Sequence, residues 1–343
     1  MNAREAVRAA LRHQETPAVP YNLMLSPPAE ARLKQHYGVD DLQAHLNLHL
    51  YYYGCVGKPL YAHPAQYGPT ITDEFGVVWA TSEIDRGYPL RHPLRAATLE
   101  GYELPNPLAS ARWAGVAEAA TRYPDQFRLA VVGDLWERAH FLRGLDSLLT
   151  DLLEHPTFAH ELLDRICEYD LATLQALAPY GPDGVFLSDD YGFQDRLMMR
   201  PALWREFVRP RLARLLSAAR ERGLITMLHT CGNVREIIPD LIELGLDILH
   251  PIQPEAMDIF ALKREFGRDL TFCGGISTQR LLPFGTPQQV RDEVRRTIEA
   301  MAAGGGYIAE PGITLQADVP TENLVALVEA LTGRQPFARE DAR

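Results

Sequence analysis

Leu224-Ile-Thr-Met-Leu-His-Thr-Cys-Gly-Asn-Val234 is the stretch from which the fold of this chain is inferred. Its apolar run, residues 224–228, predicts a buried strand that ends in His229 and Cys231. Side chains two residues apart on a strand point to the same side, so the imidazole and the sulfur are expected to face one point. Such donors suit Zn²⁺. Taken alone, the pair is more often a buried histidine and cysteine ending an ordinary strand.

The residues around this stretch alternate between strand and helix patterns. Strict alternation predicts a parallel sheet. The four consecutive units at the end of the chain favour a (β/α)8 TIM barrel over a doubly wound sheet, and no G-x-G-x-x-G fingerprint follows the first strand. The predicted strands are 127–132, 184–188, 224–228, 248–249, 270–272 and 307–309, and the predicted helices are 136–143, 146–153, 156–177, 201–222, 234–244, 256–266, 287–303 and 321–331.

The N-terminal third does not follow this alternation. We predict that the chain is a single barrel domain, 1–343, in which residues 1–105 form an N-terminal helical and β-hairpin extension with the first strand. Residues 106–343 then hold the main βα repeats. In the first part we predict helices at 3–11, 29–36, 40–48 and, capped by Ser110, 111–122, a buried strand at 19–25 and a β-hairpin within 70–90.

Composition limits the classes of protein and partner. A chain of 343 residues that is 46% hydrophobic can bury a large core, and single α/β barrels have this length. The net charge of −11 without a basic run makes nucleic acid and anionic membrane surfaces poor partners. No apolar run is long enough to predict a membrane span, and the charged residues near the start argue against a signal peptide. The four scattered cysteines predict a reducing cytoplasm.

The predicted strands end in residues that carry chemistry. In an α/β barrel the functional side chains follow the carboxyl ends of the strands. Simpler explanations exist for several of them: an aspartate can cap a helix, a histidine can be hydrogen-bonded in the core, and a cysteine can act as a small apolar residue. Glu310 is harder to explain in this way, because a buried carboxylate needs a cation, a metal or a buried partner. The residues are Asp134, Asp189, Asp190, His229, Cys231, His250, Cys273 and Glu310.

Four of these residues predict a metal site. His229, Cys231, Cys273 and Glu310 come from three neighbouring late strands and are expected to face the barrel axis at one level. A catalytic zinc takes three protein ligands and leaves one position open for substrate. The neighbouring Asp189, Asp190 and Tyr191 are expected to orient the substrate or to handle protons.

Several motifs together resemble the uroporphyrinogen decarboxylase-like superfamily, and the resemblance covers nearly the whole chain. That superfamily has a (β/α)8 barrel with an N-terminal extension. It includes the porphyrinogen decarboxylases and zinc-dependent, corrinoid-linked methyltransferases. The motifs lie at residues 189–192, 199–201, 229–234, 249–258, 272–277, 305–312 and 316–324.

The methyltransferase branch is the closer match. Its H-x-C motif corresponds to His229 and Cys231, although its further cysteine, in a P-G-C context, is replaced here by Ile313. Cys273 or Glu310 is then expected to complete the site. The decarboxylase branch has arginines that hold substrate carboxylates, and residues 20–28 contain none.

The resemblance implies a metal-dependent methyltransferase that acts on a small-molecule substrate with zinc. A corrinoid, free or on a partner protein, would come from outside the chain, because no D-x-H-x-x-G motif is present. A homodimer is also implied by the resemblance. Two alternatives stay open: a decarboxylase of a small carboxylic acid, with Arg138, Arg143 and Arg196 as carboxylate holders or as surface ion pairs, and a non-catalytic ligand-binding protein.

Overall fold

The computed structural model describes residues 1–55, 62–84 and 87–333. A seven-stranded parallel sheet with the order β1-β5-β6-β7-β8-β9-β10 lies at the centre, and β2-β3-β4 form a small antiparallel sheet. The strands are β1 (Leu50–Gly54), β2 (Thr70–Thr72), β3 (Val78–Ala80), β4 (Pro89–Arg91), β5 (Phe127–Gly133), β6 (Gly184–Ser188), β7 (Ile225–His229), β8 (Ile248–Ile252), β9 (Thr271–Ile276) and β10 (Tyr307–Pro311).

An N-terminal segment closes the seven strands into a barrel. Tyr21 forms a parallel bridge with Ala309 of β10, and the Asn22 amide donates to the Ala309 carbonyl at 3.0 Å. On the other side, the His49 amide, just before β1, donates to the Tyr21 carbonyl at 3.1 Å. The segment therefore takes the eighth position of a (β/α)8 barrel. The strand predicted at residues 19–25 is present only as bridges at Tyr21 and Leu25.

Helices surround the barrel in the expected alternation. Among the described residues, every helix is too short or too polar to cross a lipid bilayer. The helices are α1 (Ala3–Leu11), α2 (Pro27–Tyr37), α3 (Leu42–His45), α4 (Pro64–Tyr67), α5 (Val116–Ala119), α6 (Trp136–Arg143), α7 (Leu145–Glu154), α8 (Pro156–Leu177), α9 (Pro201–Leu203), α10 (Arg209–Arg220), α11 (Ile238–Glu243), α12 (Ile259–Phe266), α13 (Leu281–Phe284), α14 (Pro287–Ala302) and α15 (Thr321–Thr332).

Two predicted helices are interrupted. The helix predicted at 111–122 is a 3-10 turn, Ser110–Trp113, followed by the short α5, because Gly115 adopts a left-handed conformation with φ of 80°. Ser110 therefore begins the turn and does not cap a helix. The helix predicted at 201–222 contains a π turn, Trp204–Val208. Pro210 has no amide hydrogen, so the regular hydrogen bond is missing there and the wider turn is tolerated.

The antiparallel sheet β2–β4, called the cap sheet below, replaces the hairpin predicted within residues 70–90. Asp73 organises its first turn: its carboxylate accepts hydrogen bonds from the Phe75 and Val77 amides and the Trp79 indole, each at 2.9 Å. Trp79 packs edge-on against Phe141 of α6, with ring centroids 4.7 Å apart. The cap sheet is thereby attached to the helix that follows β5.

Helix α1 closes the amino-terminal end of the barrel. Its Val7 packs against the apolar residues that fill the barrel interior, including Leu50 and Phe127. Arg4 and Arg8 each bind the Oδ1 atom of Asp183, just before β6, at 2.7 Å. The Asp183 side chain is only 1% exposed, so the three charges form an anchor that is screened from solvent on the aspartate side.

Replacing Asp183 with alanine is expected to lower the free energy of unfolding by about 2–3 kcal/mol, because both arginines and the Arg128 amide lose their acceptor. Asp125→Ala is the matched control, because Asp125 also contacts α1, through Asn2, but is exposed. Its expected cost is below about 0.5 kcal/mol. Urea titrations of both variants measure the difference, and equal losses would contradict the proposed role of the anchor.

Candidate metal centre and adjoining cavity

His229 and Cys231 meet at the carboxyl end of β7. The strand ends at His229, and the Cys231 Sγ atom lies 3.4 Å from His229 Nε2. The chain then turns at Gly232, whose φ is 82° and where a Cβ would lie 2.3 Å from the Gly192 carbonyl oxygen. Only glycine fits this close approach without a shift of the backbone.

Asp190 joins this pair from the end of β6. Its Oδ1 atom accepts a hydrogen bond from the Cys231 amide at 2.8 Å and lies 3.5 Å from His229 Nε2. Asp190 therefore fixes the loop that carries Cys231 and does not cap a helix. The three side chains are half-buried, and one ligand atom from each lies within 4.8 Å of the others. We call Asp190, His229 and Cys231 the outer triad.

Cys273 and Glu310 lie deeper, in a second cluster. The Cys273 thiol donates to Glu310 Oε2 at 3.0 Å, and His250 Nε2 lies 3.4 Å from the same oxygen. Asn22 lies on the segment that closes the barrel, and its side-chain Nδ2 atom donates to Glu310 Oε1 at 2.8 Å. All three residues of the cluster are fully buried, at 0 to 1% exposure. We call His250, Cys273 and Glu310 the inner triad; the four predicted ligands are thus divided between the two triads.

The ionisation of the inner triad follows from its hydrogen bonds. Burial by itself would raise the pKa of Glu310, but hydrogen bonds from His250, Cys273 and Asn22 outweigh it and hold that pKa below its ordinary value. Burial, reinforced by the Glu310 charge, raises the pKa of Cys273 well above its ordinary value. Cys273 is therefore a thiol that donates to a carboxylate.

A contact between two histidines links the triads. The Nδ1 atoms of His229 and His250, which pair in register on β7 and β8, lie 3.0 Å apart. His250 Nε2 faces Glu310 and His250 Nδ1 faces His229, so a proton on His250 Nε2 would leave its Nδ1 atom to accept from His229 Nδ1–H. The Nε2 lone pair of His229 would then be left facing Cys231 and Asp190.

The outer triad fits a zinc ion. Ligand atoms around a tetrahedral zinc are separated by roughly 3.3–3.8 Å, given bond lengths of about 2.0–2.3 Å. The separations of His229 Nε2 from Cys231 Sγ and Asp190 Oδ1 are 3.4 and 3.5 Å. The half-buried position leaves one side accessible, as a catalytic zinc requires. With Asp190 as the third donor, the set does not need a cysteine at the position of Ile313.

Asp189 and Tyr191 lie behind this site and are buried. The Asp189 Oδ1 atom accepts a hydrogen bond from the Glu137 amide at 2.6 Å, and burial raises the pKa of Asp189 to about 7. The Tyr191 ring packs edge-on against Trp204, with centroids 5.7 Å apart, and its amide donates to Thr230 Oγ1. Their contacts position the loop that holds Asp190, and their predicted role towards substrate stays a prediction.

A cavity of about 420 Å³ adjoins the outer triad at the carboxyl ends of β1, β5 and β6. Phe186 and Ser188 of β6 form its side towards β7: Ser188 pairs in register with His229, and the Phe186 and His229 rings are 5.9 Å apart. Its lining is rich in aromatic and charged side chains, which come from the cap sheet, the 3-10 turn Ser110–Trp113, α6, α8 and the ends of β1, β5 and β6. These are Tyr52, Asp73, Glu74, Phe75, Arg112, Asp134, Glu137, Arg138, Phe141, Tyr169, Asp170 and Phe186.

The arginines of the cavity are already paired. The Arg138 guanidinium lies 3.2 Å from Asp134 and 3.6 Å from Asp73, and it stacks 4.0 Å from the Phe75 ring centre. Arg112 forms an ion pair with Glu74.

The other two arginines considered as carboxylate holders also have carboxylate partners. Arg143 binds the buried Asp151 at 2.6 Å, and Arg196 pairs with its exposed neighbour Asp195 at 2.9 Å. Neither is among the residues that line the cavity.

Sequence reasoning did not find Asp170, which lines the cavity from the middle of α8. The available signal was its position on the buried stripe of that helix, with Leu163, Ile166 and Leu174 at helical spacing. His250 was included among the strand-end residues, but a hydrogen-bonded core histidine was the simpler explanation for it. Its contact with His229 could not be predicted, because that contact depends on the register of β7 against β8.

Comparison with known proteins identifies the family. Residues 71–333 match the family model described as uroporphyrinogen decarboxylase (URO-D). A methylated-thiol–coenzyme M methyltransferase from Methanosarcina mazei is 26% identical over 59% of this chain and 52% of its own. A methylcobamide:CoM methyltransferase from Methanosarcina barkeri is 28% identical over 53% of this chain and 49% of its own. The chain thus spans about half the length of these curated relatives.

A second group of relatives and one solved structure extend the comparison. A uroporphyrinogen decarboxylase from Methylococcus capsulatus is 24% identical over 76% of each chain. The structure of a methyltransferase from Methanosarcina mazei superposes with a TM-score of 0.71 at 21% identity, covering 97% of this chain and 99% of that one. This superposition shows a shared fold. With three quarters of the chain inside the family model, the chain belongs to the uroporphyrinogen decarboxylase (URO-D) family.

Proposed function

We propose that the protein is a zinc-dependent methyltransferase that exchanges a methyl group with a corrinoid supplied from outside the chain. The observation that carries the proposal is the outer triad: three donors within 4.8 Å of one another, with two separations of 3.4 and 3.5 Å from His229 that match a tetrahedral zinc, and a substrate-sized cavity beside them. The likeness to relatives named as cobamide and thiol methyltransferases supports the same reaction class.

A chain of contacts from residues behind the site would orient the metal ligands. Glu310, which accepts from the Asn22 side chain, would attract a proton to His250 Nε2, and His250 would in turn orient the His229 ring. Asp190 holds the Cys231 loop through its main-chain amide. A zinc ion bound there would supply Lewis acidity, which lowers the pKa of a thiol or polarises a methoxy oxygen.

Two aromatic side chains of the barrel, Tyr52 and Phe186, would shield the reacting groups from water. Tyr52 and Phe186 lie edge to face, with centroids 5.0 Å apart, and both line the cavity. With a thiol acceptor, the cobalt–methyl bond breaks and the electron pair stays on cobalt. The new carbon–sulfur bond forms, and the thiol proton is released. Excluding water from this step favours the thiolate as the nucleophile.

The decarboxylase alternative has less support in the site. A carboxylate substrate needs a cation that is free to receive it. Arg112 and Arg138, which line the cavity, are occupied by Glu74, Asp134 and Asp73.

The test is methyl transfer by the full chain loaded with zinc. Methylcobalamin is mixed with a panel of small thiols, and loss of its absorption spectrum is followed together with the thioether product. His229→Ala is expected to reduce the rate by at least about 100-fold. His155→Ala, an exposed histidine at the start of α8, is the control and is expected to retain the rate. Zinc-loaded protein that transfers no methyl group in either direction would refute the proposal.

A further inference from the structure

The cavity beside the outer triad carries more carboxylates than cations. Five acidic side chains line it, Asp73, Glu74, Asp134, Glu137 and Asp170, against two arginines. Both arginines are held by acids of the same lining. Among the residues that the structure describes, the lining therefore offers no cation that is free to receive an anionic ligand.

Asp170 is a buried acid in this lining with one oxygen that lacks a hydrogen-bond partner among the described residues; the hydroxyl of its neighbour Tyr169 lacks one as well. Asp170 is 1% exposed, it faces the cavity from the middle of α8, and its Oδ2 atom accepts no hydrogen bond from any described residue. Burying a carboxyl group in this way is costly unless something binds it. The fold nevertheless keeps space for it, because a Cβ at Gly133 would lie 2.1 Å from Asp170 Oδ1.

Aromatic rings surround the space that Asp170 faces. Phe75 and Tyr169 lie edge to face with centroids 5.4 Å apart, and Phe141, Tyr52 and Phe186 complete the aromatic part of the lining. Ring faces attract cations, and Arg138 over Phe75 shows that a cation is accommodated on this surface. A buried acid next to aromatic rings is the arrangement that recognises an organic cation.

We propose that this cavity binds a small alkylammonium compound that carries at least one N–H, with Asp170 as its counter-ion. The ammonium N–H donates to Asp170 Oδ2, and its alkyl groups pack on Phe75 and Tyr169. The inference rests on the proposed function in one respect: it assumes that the substrate of the outer triad binds in this cavity.

Calorimetry on the full chain tests the inference without corrinoid. The cationic probe is N,N-dimethylethanolammonium at neutral pH, its neutral isostere is 3-methylbutan-1-ol, and the anionic probe is ethanesulfonate, which carries no thiol. The cation is expected to bind at least about tenfold more tightly than the isostere, and the anion is expected not to bind. Equal binding of cation and isostere, or binding of the anion alone, would overturn the inference.

A pair of variants assigns the effect to one residue. Asp170→Asn is expected to weaken binding of the cation by about tenfold or more while leaving the neutral alcohol unchanged. Asp146→Asn, an exposed aspartate on α7, is the control and is expected to bind as the unmodified chain does. A folded Asp170→Asn protein with undiminished cation affinity would overturn the assignment. If that variant does not fold, the comparison of cation with isostere on the unmodified chain decides alone.

The outcome is separable from that of the methyl-transfer test. A protein that binds the cation but transfers no methyl group retains this inference and loses the proposed function. A protein that transfers a methyl group from methylcobalamin to a thiol but does not distinguish the cation from the alcohol does the reverse.

Discussion

Replacing Cys231 with alanine is expected to abolish stoichiometric zinc binding, whereas replacing Cys273 with alanine is expected to leave it intact. Both residues are cysteines close to a histidine and a carboxylate, so the pair compares two similar sets of donors. Cys231 is half-buried, and its sulfur lies 3.4 Å from the Nε2 atom of His229. Cys273 is fully buried and already donates its thiol proton to Glu310.

The measurement is zinc content by mass spectrometry after dialysis, with affinity from competition against a chelator. Loss of one of three ligands is expected to weaken zinc binding by at least about 100-fold for Cys231→Ala. For Cys273→Ala the expected change in zinc affinity is below about tenfold, since the hydrogen bond that is lost joins Cys273 to Glu310 and does not involve a zinc ligand. The reverse pattern would move the metal to the inner triad, and no zinc in the unmodified protein would remove the metal from the proposal.

Removing the Glu310 carboxylate is expected to have a second large effect, on the stability of the fold. Glu310→Ala is expected to lower the free energy of unfolding by about 3–5 kcal/mol, because His250, Cys273 and Asn22 all lose their acceptor in the fully buried interior. Glu310→Gln keeps one oxygen acceptor and the shape, so a smaller loss of about 1–3 kcal/mol is expected. Glu299→Ala, an exposed glutamate, is the control with an expected loss below about 0.5 kcal/mol.

Zinc affinity measured on the folded Glu310→Gln variant tests whether Glu310 orients the metal ligands or only stabilises the fold. If Glu310 acts on the metal site through His250 and His229, zinc affinity is expected to fall by about 10–100-fold while the outer triad is intact. A loss of stability with unchanged zinc affinity would leave Glu310 a purely structural residue. Folding is followed by urea denaturation, and zinc affinity by the same chelator competition.

Local patterns in the sequence were sufficient for most of the barrel. The predicted bounds of α1, α6, α8 and β6 agree with the structure because the hydrophobic pattern coincides with a terminal signal: the Asn2 capping box for α1, and a terminal proline or glycine for the others. The prediction failed at 111–122, where Gly115 favours a left-handed conformation that interrupts a helix with good periodicity.

The arrangement of the site depends on pairings that local patterns do not contain. Strand alternation predicted that His229 and Cys231 lie near each other, which they do, although β7 ends at His229 and Cys231 lies on the loop that follows. The contact of His229 with His250 requires the register of β7 against β8, and the approach of Asp190 requires the path of an irregular loop. Strand-end reasoning therefore selected the correct edge of the sheet but did not divide its residues into two triads.

The segment that closes the barrel also determines when the site can assemble. The hydrogen bond from Asn22 to Glu310 joins residues 288 positions apart, so the first and last strand positions of the barrel must meet before it forms. The entropy of closing so long a loop has to be overcome before that contact stabilises the chain, which makes ring closure a slow, late step of folding. Until then the Glu310 charge lacks one of its buried partners. We therefore expect the contacts that orient His229 to be completed only when the barrel closes.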